Sequence, residues 1–147
     1  MSAYRFPIPK AAPRPKRRPP KRGDYLSFIH ELPCVVTGRY GVEAAHVSFC
    51  SEWHGHYGRA KSTKAPDRFA LPLISTEHAL QHGCKLGSER DYWNSKGIDP
   101  HGLANTLWGI FSDYEHEEAV ALCAERINQG LRRARMSQAT MQKGLQP

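Results

Sequence analysis

The apolar stretch Phe69 to Leu73 runs through Ile74 straight into Ser75-Thr76-Glu77-His78-Ala79-Leu80-Gln81-His82. The short apolar run reads as extended chain. Ser75 or Thr76 can cap the helix that follows, and Glu77 suits its first turn. Gly83 is placed to end it. This step from strand to helix carries two histidines four residues apart, which stack on one helical face. Neutral imidazoles offer lone pairs, so His78 and His82 can converge on one divalent cation.

A third histidine lies upstream. Cys34-Val35-Val36-Thr37 is β-branched and reads as a strand, and Gly38-Arg39-Tyr40-Gly41 reads as a turn. Val42 to Val47 is the expected returning strand, with His46 near its end. Residues 48–68 have no periodicity and carry Arg59, Lys61, Lys64 and Arg68, so they are expected to form a long functional loop.

Helices account for most of the remainder. Asp24 is the expected cap of a short helix with Tyr25, Leu26, Phe28, Ile29 and Leu32 as apolar positions, stopped by Pro33. Ser88 and Asp91 have capping-box spacing for a helix near 89–95. Asp99-Pro100 is an N-cap followed by proline at the first helical position. Leu103, Leu107, Ile110 and Phe111 then recur at helical spacing. A last helix over roughly 115–135 places Val120, Cys123, Ile127 and Leu131 on one stripe, and its far end is basic. From about residue 137 the chain is expected to fray.

Charge is distributed unevenly over the 147 residues, whose formal net charge is +7. Residues 1–22 carry Arg5, Lys10, Arg14, Lys16, Arg17, Arg18, Lys21 and Arg22, interleaved with six prolines and no acid. These are eight of the 21 basic residues, which leaves 13 against 14 acidic ones. The positive excess is a property of the arm. Proline and charge repulsion predict disorder in it when free. A basic arm beside a nearly neutral body fits nucleic acid, and the arm lacks the apolar face that a membrane surface needs. The expected organisation is an arm over 1–23, one domain over 24–136 and a tail over 137–147. Cys34, Cys50, Cys84 and Cys123 form no CxxC pair. With no apolar leader or membrane-length run, a cytoplasmic protein with reduced thiols is expected.

The order of strand-end histidine, loop and helix with paired histidines resembles the ββα-metal core of HNH endonucleases. It is most similar to a phage and prophage branch that includes the recombination enhancement function nuclease. The similar stretches are Tyr25 to Cys34, Val42 to His46, Lys64 to Phe69, Leu71-Pro72-Leu73 through His78 and His82, and Tyr92-Trp93 with Gly97 to Pro100. The resemblance implies an α+β fold with that core and added C-terminal helices.

It further implies a metal-dependent enzyme that hydrolyses DNA phosphodiester bonds in phage recombination or DNA processing. His46 would be the general base, and His82 and then His78 the metal ligands. The implied cation is Mg²⁺ in the first place, with Mn²⁺, Ni²⁺ or Zn²⁺ as alternatives. Ala45 stands where many members have a ligating aspartate or histidine. The missing ligand would come from Asp67, Glu43, water or the DNA. Asp67 would otherwise orient His46. The two CxxC pairs of many members are missing, so no structural zinc is expected. DNA is the expected partner, with a recombinase or phage DNA-processing protein as a second. Lys64, Arg59 and Arg68, with Arg17, Arg18, Lys21 and Arg22 of the arm, are the expected phosphate contacts.

Plainer roles are expected elsewhere. His30, His101 and His116 read as surface or hydrogen-bonded residues, and His54 and His56 as part of a solvated loop, with phosphate or metal contact as the alternative. Tyr92, Trp93 and Trp108 read as packing residues. Cys84 reads as no ligand, since no second thiolate lies nearby. The alternative function is an HNH-fold DNA-binding accessory protein that has lost catalysis.

Overall fold

The computed structural model describes residues 22–57, 65–83 and 87–145. Five helices and two strands appear among them: α1 (Arg22–Ile29), β1 (Glu43–His46), β2 (Ala70–Leu73), α2 (Ser75–Gly83), α3 (Glu89–Lys96), α4 (Pro100–Asp113) and α5 (His116–Gly144). The fold is mixed α+β and mostly helical, with one small antiparallel sheet.

The expected hairpin is replaced by another. β1 pairs with β2 in the register Glu43↔Leu73, Ala44↔Pro72, Ala45↔Leu71 and His46↔Ala70. Residues 34–39 form a closed turn instead of a strand, with Gly38 N–H donating to Cys34 O and Cys34 N–H to Arg39 O, both at 2.8 Å. Gly38 has φ 75° and lies 3.1 Å from Leu131 at its would-be Cβ, so glycine is required there. Val35 N–H still reaches Pro72 O at 3.1 Å. Pro72 has no N–H to return a bond, so a third strand cannot build a full ladder on that edge.

β2 is buried along its whole length. Tyr25, Phe28, Ile29 and Leu32 from the α1 region pack with Leu71, Leu73, Trp93 and Leu107 in one core. Tyr25 meets Trp108 edge-on at 4.8 Å between ring centres, and Phe28 meets Phe111 at 4.8 Å. α1 starts at Arg22, so Asp24 lies in its first turn and complements the helix dipole instead of capping it. The first bond into α2 runs from His78 N–H to Ile74 O at 2.9 Å.

The capping box of α3 forms as its spacing predicts, with Asp91 N–H donating to Ser88 Oγ at 3.2 Å and Ser88 N–H to Asp91 Oδ2 at 2.9 Å. Asp99 accepts from Gly102 N–H at 3.2 Å, and Pro100 opens α4. Tyr92 OH donates to Glu77 Oε2 at 2.8 Å and ties α3 to α2. Burial, then the Glu77 carboxylate, push the Tyr92 phenol far above its ordinary range.

Cys123 and Ile127 bury the α5 stripe, with Val120 and Leu131 partly buried beside them. Cys34 and Cys123 are buried, Cys50 is exposed, and none of the three is in a disulfide. Burial pushes the Cys123 thiol up to about 12. The stretch expected to fray from about 137 is helical through Gly144 and exposed throughout. Met136, Gln138, Ala139, Met141, Gln142 and Lys143 are good helix formers, and propagating an existing helix needs no new nucleus. Among the described residues no helix is long and apolar enough to cross a membrane.

Candidate functional site

Strand register builds the first pair. His46 faces Ala70 across the sheet, and a 3-10 turn over Asp67–Phe69 immediately precedes Ala70. Val47 N–H donates to Phe69 O at 3.0 Å and extends the pairing into that turn. The Asp67 carboxylate thereby reaches back to His46, with Nε2 to Oδ1 at 2.8 Å. Both side chains keep about a quarter of their surface in solvent (24% and 23%). An ionised carboxylate only accepts, so His46 donates from Nε2 and keeps the Nδ1 lone pair. Such a ring can take a proton at Nδ1 while Asp67 steadies the resulting charge.

α2 runs beside β1 in the same direction. At the start of β1, Glu43 Oε2 lies 2.6 Å from His78 Nδ1. At its end, Gln81 Nε2 donates to His46 O at 3.0 Å. His78 and His82 share a face as their spacing predicts, with ring centres 5.3 Å apart. His82 is the exposed member of the two and follows Gln81 in α2.

Glu89 anchors this corner. Its Oε1 accepts from Gln81 Nε2 at 2.7 Å and from Trp93 Nε1 at 3.3 Å, and its Oε2 from Ser48 N–H at 3.0 Å. One carboxylate thus joins the exit of β1, α2 and α3. Glu89 carries no sequence mark beyond its place in the first turn of a helix, and sequence reasoning passed over it.

A second cluster forms where the loop after β1 meets α4. His54, Asp99 and His101 can hold a metal ion: one ligand atom from each lies within 4.8 Å of the others. Among the described residues this is the group of three that meets that spacing, and His46, Asp67, His78 and His82 are not in it. His54 Nε2 is 3.4 Å from Asp99 Oδ2. Ser51 Oγ lies 2.7 Å from His54 Nδ1, and His101 Nε2 donates to Phe49 O at 2.9 Å. All three residues line an open cleft of about 480 Å³, together with Arg90, Trp93 and Asn94.

The loop histidines are not solvated as expected. His56 is fully buried and meets Phe69 edge-on at 4.5 Å, and His54 is half-buried. The Trp53-His54-Gly55-His56 run was the available signal, but spacing could not show that α4 closes over it. His101 is buried and hydrogen-bonded, His30 Nδ1 pairs with Val42 O at 2.8 Å, and His116 pairs with Glu31 at 2.9 Å. Burial lowers the pKa of His101, and burial followed by the His101 charge lowers that of His56.

Of the expected phosphate contacts, Arg68 is described. Its guanidinium lies over the Phe69 ring at 4.6 Å and donates through Nη2 to His54 O at 3.3 Å and Gly55 O at 3.4 Å. It braces the loop. Arg17, Arg18, Lys21, Arg59 and Lys64 lie outside the described residues, as does Cys84. Arg22 is placed by its backbone alone, in the first turn of α1.

No curated protein and no solved structure matches the chain. One family model does match, over residues 10–104, which is more than half of the sequence and contains β1, β2 and α2 with both carboxylate–imidazole pairs. The chain belongs to that family, described as protein of unknown function (DUF968).

Proposed function

We propose that this chain is a metal-dependent endonuclease of the HNH type that hydrolyses DNA phosphodiester bonds, with His46 as general base. The observation that carries the reading is the 2.8 Å contact from His46 Nε2 to Asp67 Oδ1. It sets the ring to receive a proton at Nδ1 from a water attacking phosphorus, and Asp67 stabilises the imidazolium that results. The sequence of β1, β2 and α2, with His46 ending the first strand, supports the resemblance to a ββα-metal core.

His78 and His82 would hold the cation on the exposed side of α2. Their imidazoles suit Zn²⁺ or Ni²⁺ as direct ligands, whereas Mn²⁺ and above all Mg²⁺ would rely more on water and phosphate oxygens. Glu43 fits the carboxylate that fixes a ligating histidine, since it holds Nδ1 of His78 and leaves Nε2 for the metal. A bound divalent cation supplies stabilisation of the charge that grows on phosphate oxygens. DNA and water would complete the coordination that two imidazoles begin. The basic arm over residues 1–22 would keep the enzyme on DNA without choosing sequence. Phage or prophage recombination is the setting that the resemblance implies, with a recombinase or DNA-processing protein as partner.

The test is plasmid nicking by wild type and His46→Ala across Mg²⁺, Mn²⁺, Ni²⁺ and Zn²⁺. Nicking by wild type alone supports the reading, and equal nicking by both proteins overturns the base assignment. Two observations favour the second reading, a DNA-binding accessory protein without catalysis. Ala45 is fully buried where a ligand is common, and His78 and His82 belong to no described three-ligand group. DNA binding with no cleavage under any of the four metals would select it.

A further inference from the structure

The cluster at the start of α4 shares no residue with the pairs just assigned. We infer that His54, Asp99 and His101 form a separate site for a divalent transition cation of the Zn²⁺ class, which fastens the loop after β1 to the N-terminus of α4. Two imidazoles and one carboxylate are a borderline donor set that suits Zn²⁺ or Fe²⁺ and disfavours Mg²⁺ and Ca²⁺.

The spacing fits. Ligand bonds of roughly 2.0–2.1 Å at a tetrahedral angle put neighbouring donor atoms about 3.4 Å apart. His54 Nε2 and Asp99 Oδ2 are 3.4 Å apart. Each imidazole is also held at its other nitrogen, as metal-bound histidines usually are. Phe49 O accepts from His101 Nε2, which leaves the Nδ1 lone pair. Ser51 Oγ engages His54 Nδ1, which leaves Nε2. Asp99 Oδ1 caps α4 and Oδ2 faces His54, so one carboxylate serves both. With three protein donors, the fourth position falls to water from the adjoining cleft.

Such an ion would have a structural task. The turn around His54 is now joined to α4 and the β2 approach by long hydrogen bonds, from Asn105 Nδ2 at 3.2 Å and Arg68 Nη2 at 3.3 Å to the His54 carbonyl. A coordinated cation would add a much stiffer link at the same place.

The experiment uses the full chain carrying His78→Ala and His82→Ala, which removes the other histidine pair from a helix surface. Co²⁺ is added, and the visible d–d bands of a low-symmetry site are followed, then displaced with Zn²⁺. Saturable bands reversed by Zn²⁺ are expected, with a Tm that rises when Zn²⁺ replaces chelator. Adding His54→Gln and Asp99→Asn should abolish the bands, while asparagine retains the cap of α4. Bands that persist unchanged in that protein overturn the site. So does a parent protein that shows neither bands nor a Zn²⁺-dependent Tm, a result that needs no second variant to fold. Nicking by wild type is read separately, so failure here leaves the His46 assignment standing or falling on its own assay.

Discussion

His46 and Asp67 are 21 positions apart in the chain and 2.8 Å apart in space, imidazole Nε2 to carboxylate Oδ1. The bond fixes which ring nitrogen is available to take a proton. Replacing Asp67 with Asn leaves a side chain of the same shape without the charge. Nicking by Asp67→Asn should fall about 10- to 100-fold, the usual cost of losing an orienting carboxylate. His46→Ala should abolish nicking and retain metal binding. An Asp67→Asn protein as active as wild type would show that the pair is structural.

Glu43 and His78 make the matching pair at the other end of β1, 2.6 Å apart. Glu43→Gln is expected to weaken Mn²⁺ binding about 10-fold, read by titration calorimetry, with Tm nearly unchanged because Glu43 is exposed. His82→Ala should lose both Mn²⁺ binding and nicking. Full Mn²⁺ affinity in His82→Ala would remove α2 from the metal site.

Glu89 accepts from Ser48, Gln81 and Trp93. Glu89→Ala strands those donors at a partly buried junction and should cost about 2–3 kcal/mol of stability, measured by urea unfolding. Nicking should fall too, because Gln81 then holds the His46 carbonyl less firmly. A loss below about 0.5 kcal/mol, the scale of ordinary surface changes, would mean the junction is solvated and redundant.

Stability should fall on mild acidification. Burial lowers the pKa of both His56 and His101 below the ordinary 6.5, partly opposed by Glu89 for both and by Asp99 for His101. The unfolded chain protonates these rings first, so it binds more protons than the folded chain once pH drops below about 6.5. Their contribution is complete above that pH and is lost as pH falls toward the folded pKa values. Tm measured from pH 8 to pH 5.5 in the presence of chelator should hold and then decline. A Tm that rises on acidification through that interval would overturn this prediction.

Removing residues 1–21 deletes seven cations and leaves α1 whole. DNA affinity should drop, and the slope of log K against log salt should flatten by about 0.9 for each phosphate that the arm no longer neutralises. Unchanged affinity and slope would give the arm another task.

Local signals in the sequence were strong where the chemistry is local. The Ser88–Asp91 box, the Asp99-Pro100 start and the four-residue spacing of His78 and His82 each depend on atoms within one or two turns, and each forms at the expected positions. Strand pairing was not legible in the same way. Val35 and Val42 look alike as strand residues, and nothing local says that β1 bonds to β2 across the loop. The missing N–H of Pro72 was visible, but its consequence depended on which strand lay on either side.

Composition and periodicity alone determined the helical majority, the basic arm and the candidate histidines, because charge, capping and amphipathic spacing are properties of short windows. Tertiary structure decided that Asp67 faces His46, that Glu43 faces His78, that Glu89 joins three elements, and that His54 and His101 meet at Asp99. Those contacts depend on strand register and on α4 closing over a loop. Register and closure are set by the whole core, which no window of the sequence contains.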